Sequence, residues 1–330
     1  AKKGPPADLN VLLVTIDSLR ADMPWAGYPK PIAPRLTELE KRSVSYSRAY
    51  SISSYTSKSL GGLLAGKQPS ELKRDGYFFA TYPKDNLMFP ELLQAAGIKT
   101  MSAHAHGYFK TAGFDQGFDQ WAIVPNIKFD NTTDRNVTSP ELEQIAEKQL
   151  SEVGEGQRFF AWYHFLDPHD QYISHEKDGI PAGKTLREAY DGEVTYTDRY
   201  IAKLLDFVAS KPWGARTAII VSADHGEGFG EHNKYAHGFE VWEMLVRVPL
   251  FFVVPGAEPR HIDVRRGAID LAPTICELLD VKADEGFEGK SLVGELYGAE
   301  PEVRDVVVDL PATSDSAHSG RHSGQRGKSW

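Results

Sequence analysis

A run of apolar and β-branched residues near the start of the chain ends directly in an acidic residue. Residues 10–16 read NVLLVTI, and Asp17 follows. An apolar run of this kind is typical of a strand that is buried on both faces of a parallel sheet. Ligand-binding groups in α/β proteins commonly follow the carboxyl ends of such strands. Asp17 is therefore a candidate site residue.

Further apolar runs alternate with helical patterns along the chain. Strand patterns cover residues 98–102, 158–165, 217–222 and 248–254, with one more possible strand at 303–311. Helical patterns cover residues 34–41, 57–65, 90–96, 139–153, 186–209 and 269–279. This alternation predicts an α/β fold, with a largely parallel sheet flanked by helices and a site at one sheet edge.

Length and composition limit the classes of protein that need consideration. The 330 residues allow one large α/β domain or two ordinary ones, and we predict one domain at 1–313 and a flexible polar tail at 314–330. A net charge of −9 argues against a general nucleic-acid binder, although an anionic ester could bind in a locally positive pocket. The single cysteine, Cys276, cannot form an internal disulfide.

The sequence shows neither a signal peptide nor an apolar run of the roughly 20 residues that a membrane helix needs. The chain begins with Ala rather than Met. We therefore expect that a signal or a membrane anchor could lie upstream of this sequence.

Three candidate metal ligands follow predicted strands. Asp17 follows the first strand, and Asp224 and His225 follow the strand at 217–222. Carboxylate and imidazole groups suit one divalent cation such as Mn²⁺, Mg²⁺, Ca²⁺ or Zn²⁺, and the residue types do not choose among these ions. An Asp after a strand is more often structural or a helix cap, but the run Asp-His-Gly-Glu favours a site.

A hydroxyl-rich segment at residues 53–59 precedes the helix predicted at 57–65. A hydroxyl at a helix start lies near unpaired N–H groups, which favours an anion above it, and a bound metal would activate that hydroxyl. The alternative role is an N-cap, which Ser and Thr fill routinely. The Gly61-x₄-Gly66-Lys67 spacing nearly matches a phosphate-binding P-loop, but Gln68 replaces the required Ser or Thr, so we reject that interpretation.

Several segments resemble motifs of the sulfatase-like enzymes of the alkaline phosphatase superfamily, and they occur in the family's order. They are NVLLVTIDSLRAD (10–22), the helix region 56–66, YHFLDPHDQY (163–172), SADHGEGFGEH (222–232), HGFEVWEMLVRVPL (237–250) and AIDLAPTICELL (268–279). The resemblance implies a three-layer α/β sandwich. It also implies a metal-dependent hydrolase or transferase of phosphate or sulfate esters.

The resemblance also implies roles for individual residues. Asp17, Asp224 and His225 would bind the metal, and Thr56 would be the nucleophile and would also contact the metal. The remaining roles concern the substrate: His169 and His237 would bind the ester oxygens or protonate the leaving group. Lys58 could reach the anion or could be solvated.

Three departures from the sulfatase pattern affect the expected chemistry. True sulfatases carry Cys or Ser at the position of Thr56, followed by a Pro and an Arg that direct conversion to formylglycine. Lys58 and Leu60 replace that Pro and Arg here. A threonine nucleophile resembles instead the relatives that transfer phosphoglycerol or phosphoethanolamine to envelope polymers. Ser18 stands where many sulfatases have a further metal-binding Asp, which favours a single-ion site.

We therefore predict a metal-dependent phosphotransferase or phosphodiesterase of the cell envelope. It would hydrolyse or transfer a phosphate-ester group through a covalent Thr56 intermediate, outside the cytoplasm. One alternative is a sulfuric ester hydrolase on the same scaffold. Another is a catalytically silent member that binds anionic glycans or lipids.

Overall fold

The computed structural model describes residues 4–128 and 136–311, together with the backbone of 325–326. The strands are, in chain order, β1 (Asn10–Ile16), β2 (Val44–Tyr50), β3 (Lys99–His104), β4 (Gln120–Ile123), β5 (Phe159–Phe165), β6 (Thr217–Ala223), β7 (Gly228–Phe229), β8 (Tyr235–Ala236), β9 (Leu250–Val253), β10 (Arg260–Gly267), β11 (Asp309–Leu310) and β12 (Gln325–Arg326). The α-helices are α1 (Pro34–Glu40), α2 (Thr56–Ala65), α3 (Phe89–Ala95), α4 (Ser139–Ser151), α5 (Leu186–Ser210), α6 (Glu243–Val246), α7 (Leu271–Leu278) and α8 (Val293–Leu296).

Eight of these strands form one central sheet in the order β10-β2-β9-β6-β1-β5-β3-β4. The pairings of β1 with β5 and β6, of β3 with β4 and β5, and of β2 with β10 are parallel. Strand β9 runs antiparallel to its neighbours β2 and β6. The prediction of an α/β fold with a largely parallel sheet is confirmed.

The alternation of side chains along β1 shows how the three layers form. Val11 and Leu13 point into an apolar cluster that includes residues of α2, α3 and α7. Leu12, Val14 and Ile16 point into a second cluster that includes residues of α1, α4 and α5. Because both faces are covered by helices, β1 needs apolar side chains at successive positions, which explains its continuous apolar run.

Three strands of the sheet, β2, β4 and β10, were not predicted from the sequence. Strand β2 (VSYSRAY) and strand β10 (RHIDVRRG) carry polar or charged side chains at many positions, several of them exposed. Strand β10 lies at the edge of the sheet, where one side is open to solvent. Their sequences therefore lack the apolar run that identified the central strands. In the segment 303–311, only Asp309–Leu310 forms a strand.

The predicted tail at 314–330 falls outside the described residues, except for the backbone of β12, which pairs antiparallel with β11. Within the described residues, none of the helices combines the length and the apolar character needed to cross a membrane. Cys276 is buried in α7 as a free thiol.

Candidate active site

Three neighbouring strands at the centre of the sheet end at one place. Strand β1 is flanked by β6 and β5, and all three run in the same direction. Asp17 follows β1, Asp224 follows β6, and His164 is the second-last residue of β5. The structure therefore brings together Asp17 and Asp224, which are far apart in the chain.

The two carboxyl groups are buried and are held by short local contacts. Asp224 Oδ1 accepts hydrogen bonds from the backbone N–H of His225 at 2.9 Å and of Ser18 at 3.2 Å. The Ser18 hydroxyl donates to Asp17 Oδ1 at 2.9 Å. Asp17 is 1% exposed and Asp224 is fully buried. Ser18 has a positive φ of 57°, which turns the chain so that its N–H faces Asp224.

His225 presents an unprotonated nitrogen to the two carboxyl groups. Its Nδ1 lies 2.9 Å from the carbonyl oxygen of Gly226, and because a carbonyl only accepts, Nδ1 is the atom that carries the proton. In the neutral ring, Nε2 is then a lone-pair atom. It lies 3.3 Å from Asp224 Oδ2 and 3.7 Å from Asp17 Oδ1.

His164 approaches the same carboxyl groups from the other side. Its Nε2 lies 3.2 Å from Asp17 Oδ2 and 3.9 Å from Asp224 Oδ2. Its Nδ1 is hydrogen-bonded to the Thr15 hydroxyl at 2.8 Å, and the Trp162 indole donates to the same hydroxyl at 2.8 Å. The ring orientation of His164 is thus fixed by buried neighbours.

Burial and neighbouring charges shift the ionisation of this cluster. Burial, together with the adjacent Asp17 charge, raises the pKa of Asp224. Burial acts in the same direction on Asp17, but three nearby imidazoles, of which His169 contributes most, hold the pKa of that carboxyl well below its usual range. Burial also lowers the pKa of His225, which favours the neutral ring with a free Nε2.

The cluster has the chemistry of a cation site. The ligand atoms of Asp17, His164 and Asp224 all lie within 4.8 Å of one another. Asp224 Oδ2 is buried and makes no hydrogen bond of normal geometry to any described residue. A buried carboxylate oxygen without a partner is strongly destabilising unless a cation neutralises it. Oxygen and imidazole donors therefore fit a divalent ion, and they leave its identity open.

Thr56 lies at the first residue of α2, with its hydroxyl directed at the acidic cluster. Its Oγ1 is 2.9 Å from His225 Nε2 and 3.4 Å from Asp17 Oδ2. Because Nε2 is a lone-pair atom, the hydroxyl donates to it. Tyr55, not Thr56, occupies the N-cap position of α2. The hydroxyl is thus free of the capping role that was the alternative interpretation.

The contacts of Lys58 differ from both roles considered for it. The side chain is fully buried, so it is not solvated. Its Nζ donates to the carbonyl oxygen of Tyr77 at 2.9 Å and lies 3.7 Å from the centre of the Tyr77 ring. Burial, with a smaller contribution from Arg74, lowers the pKa of Lys58 to about 7. The structure thus directs this amine to the loop at residue 77, and anion contact by Lys58 stays a prediction.

A small hairpin brings His237 next to a buried carboxylate. Strands β7 and β8 pair with Gly228 opposite Ala236, so the residues just outside them, Glu227 and His237, face each other. His237 Nδ1 lies 3.3 Å from Glu227 Oε1. Burial would raise the pKa of Glu227, but the charge and hydrogen bond of His237, together with smaller contributions from His169 and His225, hold that pKa below its usual value. This contact leaves His237 Nε2 free to meet a substrate.

His169 lies on the loop after β5, close to His237. The two rings are 5.1 Å apart between centroids, and the His237 ring stacks on His225 at 4.1 Å. His169 Nδ1 contacts the carbonyl oxygen of Asp170 at 2.6 Å. The two predicted substrate histidines are therefore neighbours, on the open side of the acidic cluster.

Sequence reasoning missed His164 and Glu227 as site residues. His164 is a polar residue near the end of an otherwise apolar strand, and such an exception to the pattern was a usable signal. Glu227 belongs to the same Asp-His-Gly-Glu run that identified Asp224 and His225. Its partner His237 could not be assigned from sequence, because the hairpin that joins them has only two-residue strands.

The chain is similar to a known protein family and to known proteins. A family model described as Sulfatase matches residues 9–281. The chain belongs to the sulfatase family. As a sulfatase-family member, it is a hydrolase that acts on sulfate or phosphate esters. The Ulvan-active sulfatase of Formosa agariphila is 23% identical over 92% of this chain and 68% of its own length. The choline-sulfatase of Rhizobium meliloti is 21% identical over 93% of this chain and 75% of its own length.

Solved structures of sulfatase-like proteins share the fold. A putative sulfatase from Bacteroides thetaiotaomicron superposes with a TM-score of 0.74 at 18% identity, covering 92% of this chain and 78% of that one. The phosphonate monoester hydrolase of Agrobacterium radiobacter superposes with a TM-score of 0.76 at 16% identity, covering 92% of this chain and 80% of that one. The predicted alkaline phosphatase/sulfatase-like sandwich is confirmed.

Proposed function

We propose that this sulfatase-family protein cleaves phosphate esters with Thr56 as its covalent nucleophile, releasing the phosphoryl group to water or to an acceptor alcohol. The observation that carries the proposal is the position of the Thr56 hydroxyl. It is not used as a helix cap, and it donates to His225 Nε2 at 2.9 Å beside the acidic cluster. A nucleophile next to a neutral base, itself oriented by a third group, is the usual arrangement of covalent catalysis.

The first step follows from these contacts. Thr56 Oγ1 forms a bond to phosphorus, the bond from phosphorus to the leaving oxygen breaks, and the hydroxyl proton passes to the nearest base, His225 Nε2. Gly226 keeps that nitrogen unprotonated by accepting from Nδ1. The N-terminus of α2 presents backbone N–H groups to the phosphoryl oxygens.

Asp17 and Asp224 would hold the divalent cation, with His164 Nε2 within reach as a further ligand. In this proposal His225 Nε2 is the base, in place of the ligand role that the resemblance implies. When bound, such an ion supplies Lewis-acid stabilisation of the phosphoryl charge and lowers the proton affinity of the Thr56 hydroxyl. Burial of both carboxylates strengthens these electrostatic interactions because water does not screen them.

His169 and His237 complete the site on the leaving-group side. Their rings are in contact, and each has one nitrogen engaged by a protein oxygen, from Asp170 and Glu227 respectively. We assign to this histidine pair the donation of a hydrogen bond to an ester oxygen and the protonation of the departing alcohol. Glu227 accepts a hydrogen bond from His237 Nδ1 and so fixes the orientation of that ring, which makes it a positioning residue.

The single hydroxyl of Thr56 favours phosphate over sulfate esters. Formylglycine enzymes expel sulfate from their covalent intermediate by elimination from a gem-diol, and Thr56 offers no second hydroxyl for that step. Release from Thr56 needs direct attack on the transferred group, which a cation and the two histidines can assist at phosphorus. We therefore place phosphate esters first and anionic esters in general as the substrate class.

Sulfate-ester hydrolysis is the second candidate, because the curated relatives that align over most of this chain are named sulfatases. The two candidates are separated by kcat/KM for para-nitrophenyl phosphate and para-nitrophenyl sulfate, measured on Mn²⁺-loaded protein. We expect a higher value for the phosphate ester, and a phosphorylated Thr56 peptide by mass spectrometry after acid quenching.

A preference for the sulfate ester, or an oxidised residue at position 56 or 57, would support the sulfatase instead. Tight binding of both esters with no turnover would identify the catalytically silent alternative. The Thr56→Ala variant is the matched control, because it removes the nucleophile and leaves the predicted cation ligands of the acidic cluster in place.

A further inference from the structure

Three aromatic rings form a continuous surface beside the reactive centre, here called the aromatic face (Tyr55, Phe78 and Phe239). The ring centroids of Tyr55 and Phe78 are 5.1 Å apart, and those of Phe78 and Phe239 are 5.6 Å apart. Phe78 is 37% exposed and Phe239 is 67% exposed. Single exposed apolar side chains are common on protein surfaces, but a contiguous group of large exposed rings is typical of a binding surface.

The aromatic face is continuous with the catalytic residues. Tyr55 directly precedes Thr56, and its ring lies 5.9 Å from the ring of His237. Rings therefore follow one another from His225 through His237 to the exposed Phe239. A group attached to a phosphoryl centre at Thr56, leaving on the side of His237, has this surface as its next neighbour.

Several contacts hold the aromatic face in position. Lys58 donates to the carbonyl oxygen of Tyr77, and the Tyr77 ring packs edge-on against Phe78 at 4.7 Å. On the opposite side, Gly238 has a positive φ of 93°, and a Cβ atom at this residue would lie 2.5 Å from the Tyr55 ring. Only glycine allows this close approach. Contacts on both sides thus fix the positions of the rings of the aromatic face.

The local charges select among possible occupants. The buried amine of Lys58 already lies over the Tyr77 ring and 5.2 Å from the centre of the Tyr55 ring, so the position that a cationic ligand group would take over these rings is occupied. Next to Phe239, Glu240 is paired with Lys234 at 2.8 Å. The face therefore offers apolar area with its nearby charges already engaged.

We propose that the organic group of the ester substrate is apolar and packs against Phe78 and Phe239. This inference rests on the proposed function, since it uses the same phosphoryl position at Thr56. It names the substrate class more narrowly: a phosphoester whose leaving group is an alkyl or aryl group rather than a cationic or highly polar one. Burial of that group against the rings would contribute to affinity in proportion to its apolar area.

The test uses methyl-, propyl- and pentylphosphonate, which cannot be hydrolysed as esters, titrated calorimetrically into Mn²⁺-loaded protein. Kd should fall about two- to fourfold for each added methylene group, because each one removes further apolar area from water. In Phe239→Ala and Phe78→Ala, Kd should become nearly independent of chain length, while the Kd of methylphosphonate stays unchanged. Val303→Ala removes an exposed apolar side chain in the C-terminal segment and should keep the full dependence.

Equal Kd values across the three phosphonates, an undiminished dependence in Phe239→Ala, or no binding of any phosphonate would overturn the inference. Ester turnover is measured on the same preparations. A chain-length dependence without Thr56-dependent turnover contradicts the proposed function alone. Turnover without a chain-length dependence contradicts only the role of the aromatic face.

Discussion

The two halves of the site are built differently. The strand-end half (Asp17, Thr56, Asp224 and His225) lies where the central strands and α2 meet, and its acidic groups and His225 are essentially inaccessible to solvent. The loop half comprises His169 on the segment after β5, Glu227 and His237 at the two ends of the β7–β8 hairpin, and the aromatic face beside them. There the ring of Phe239 is 67% exposed.

This difference separates chemistry from recognition. A buried parallel sheet fixes its strand ends closely, so groups placed there can hold a cation and a nucleophile at set distances. Loops tolerate sequence change and present side chains to the ligand, so they suit the choice of leaving group. We expect substitutions in the strand-end half to remove activity, and substitutions in the loop half to change substrate preference.

The largest expected effect is in the strand-end half, at the nucleophile. Thr56→Ala should lower kcat more than about 1,000-fold. Among the described residues, no other hydroxyl lies within 3 Å of His225 Nε2, so no second nucleophile is in place. Thermal stability should change little, since the hydroxyl does not cap α2. Steady-state kinetics and a thermal melt measure the two quantities.

Thr56→Ser is the conservative counterpart, because it keeps a hydroxyl at the same position. It should retain measurable turnover and should form a covalent phosphoserine. Activity of Thr56→Ala near the parent level would show that the hydroxyl has no chemical role.

The next effect concerns the cation. His164→Gln should weaken Mn²⁺ binding about 10- to 100-fold, because His164 Nε2 lies 3.2 Å from Asp17 Oδ2 and either binds the ion or orients that carboxylate. Asp224→Asn, which replaces the oxygen that lacks a hydrogen bond, should have the larger effect. Calorimetric titration with Mn²⁺ measures both, and unchanged affinity in Asp224→Asn would exclude the acidic cluster as the ion site.

The same comparison explains what the sequence could predict. The sequence predicts Asp17, Asp224 and His225 as site residues because continuous apolar runs indicate buried strands, and strand ends meet at one edge of a parallel sheet. Strands β2 and β10 were missed because their polar residues hide that pattern. The pairing of Glu227 with His237 depends on a hairpin with two-residue strands, which has no periodicity to detect.

The role of Lys58 shows a second limit of sequence reasoning. Its position two residues after Thr56 suggests anion contact, which stays a prediction, and the structure shows the amine on a different face of α2. There it meets Tyr77, from a loop about 20 residues further along the chain. Contacts of this kind depend on loop packing, which local patterns do not encode.

A smaller effect tests how the loop half is held. Glu193 of α5 accepts hydrogen bonds from the backbone of Ile173 and from His175 Nε2, and so anchors the loop that carries His169. Burial raises the pKa of Glu193 to about 7, although the hydrogen bond from His175 opposes this. The folded protein then binds the proton more tightly than the unfolded chain. Stability from this group is complete below the usual carboxyl pKa and is lost as the pH rises through about 7.

Glu193→Gln should remove that pH dependence. Between pH 5 and pH 8, the free energy of unfolding of the parent should fall by on the order of 2 kcal/mol relative to this variant. Glu188→Gln, at a partly exposed position of the same helix where a backbone hydrogen bond and Lys30 lower the carboxyl pKa, keeps Glu193 and should follow the parent profile between pH 5 and pH 8. Parallel denaturation profiles for the parent and Glu193→Gln would show that Glu193 does not titrate in this range.

The smallest effect is expected at Glu227, the positioning residue of the loop half. Glu227→Gln keeps an oxygen near His237 Nδ1 but removes the negative charge beside that ring. If His237 protonates the leaving oxygen, the loss should depend on the leaving group: about tenfold in kcat/KM for phenyl phosphate, and less than about twofold for 2,4-dinitrophenyl phosphate, whose phenolate needs no proton. A purely structural role would lower both by the same factor. Equal losses would therefore assign Glu227 to the support of the hairpin, and leaving-group protonation would have to come from His169.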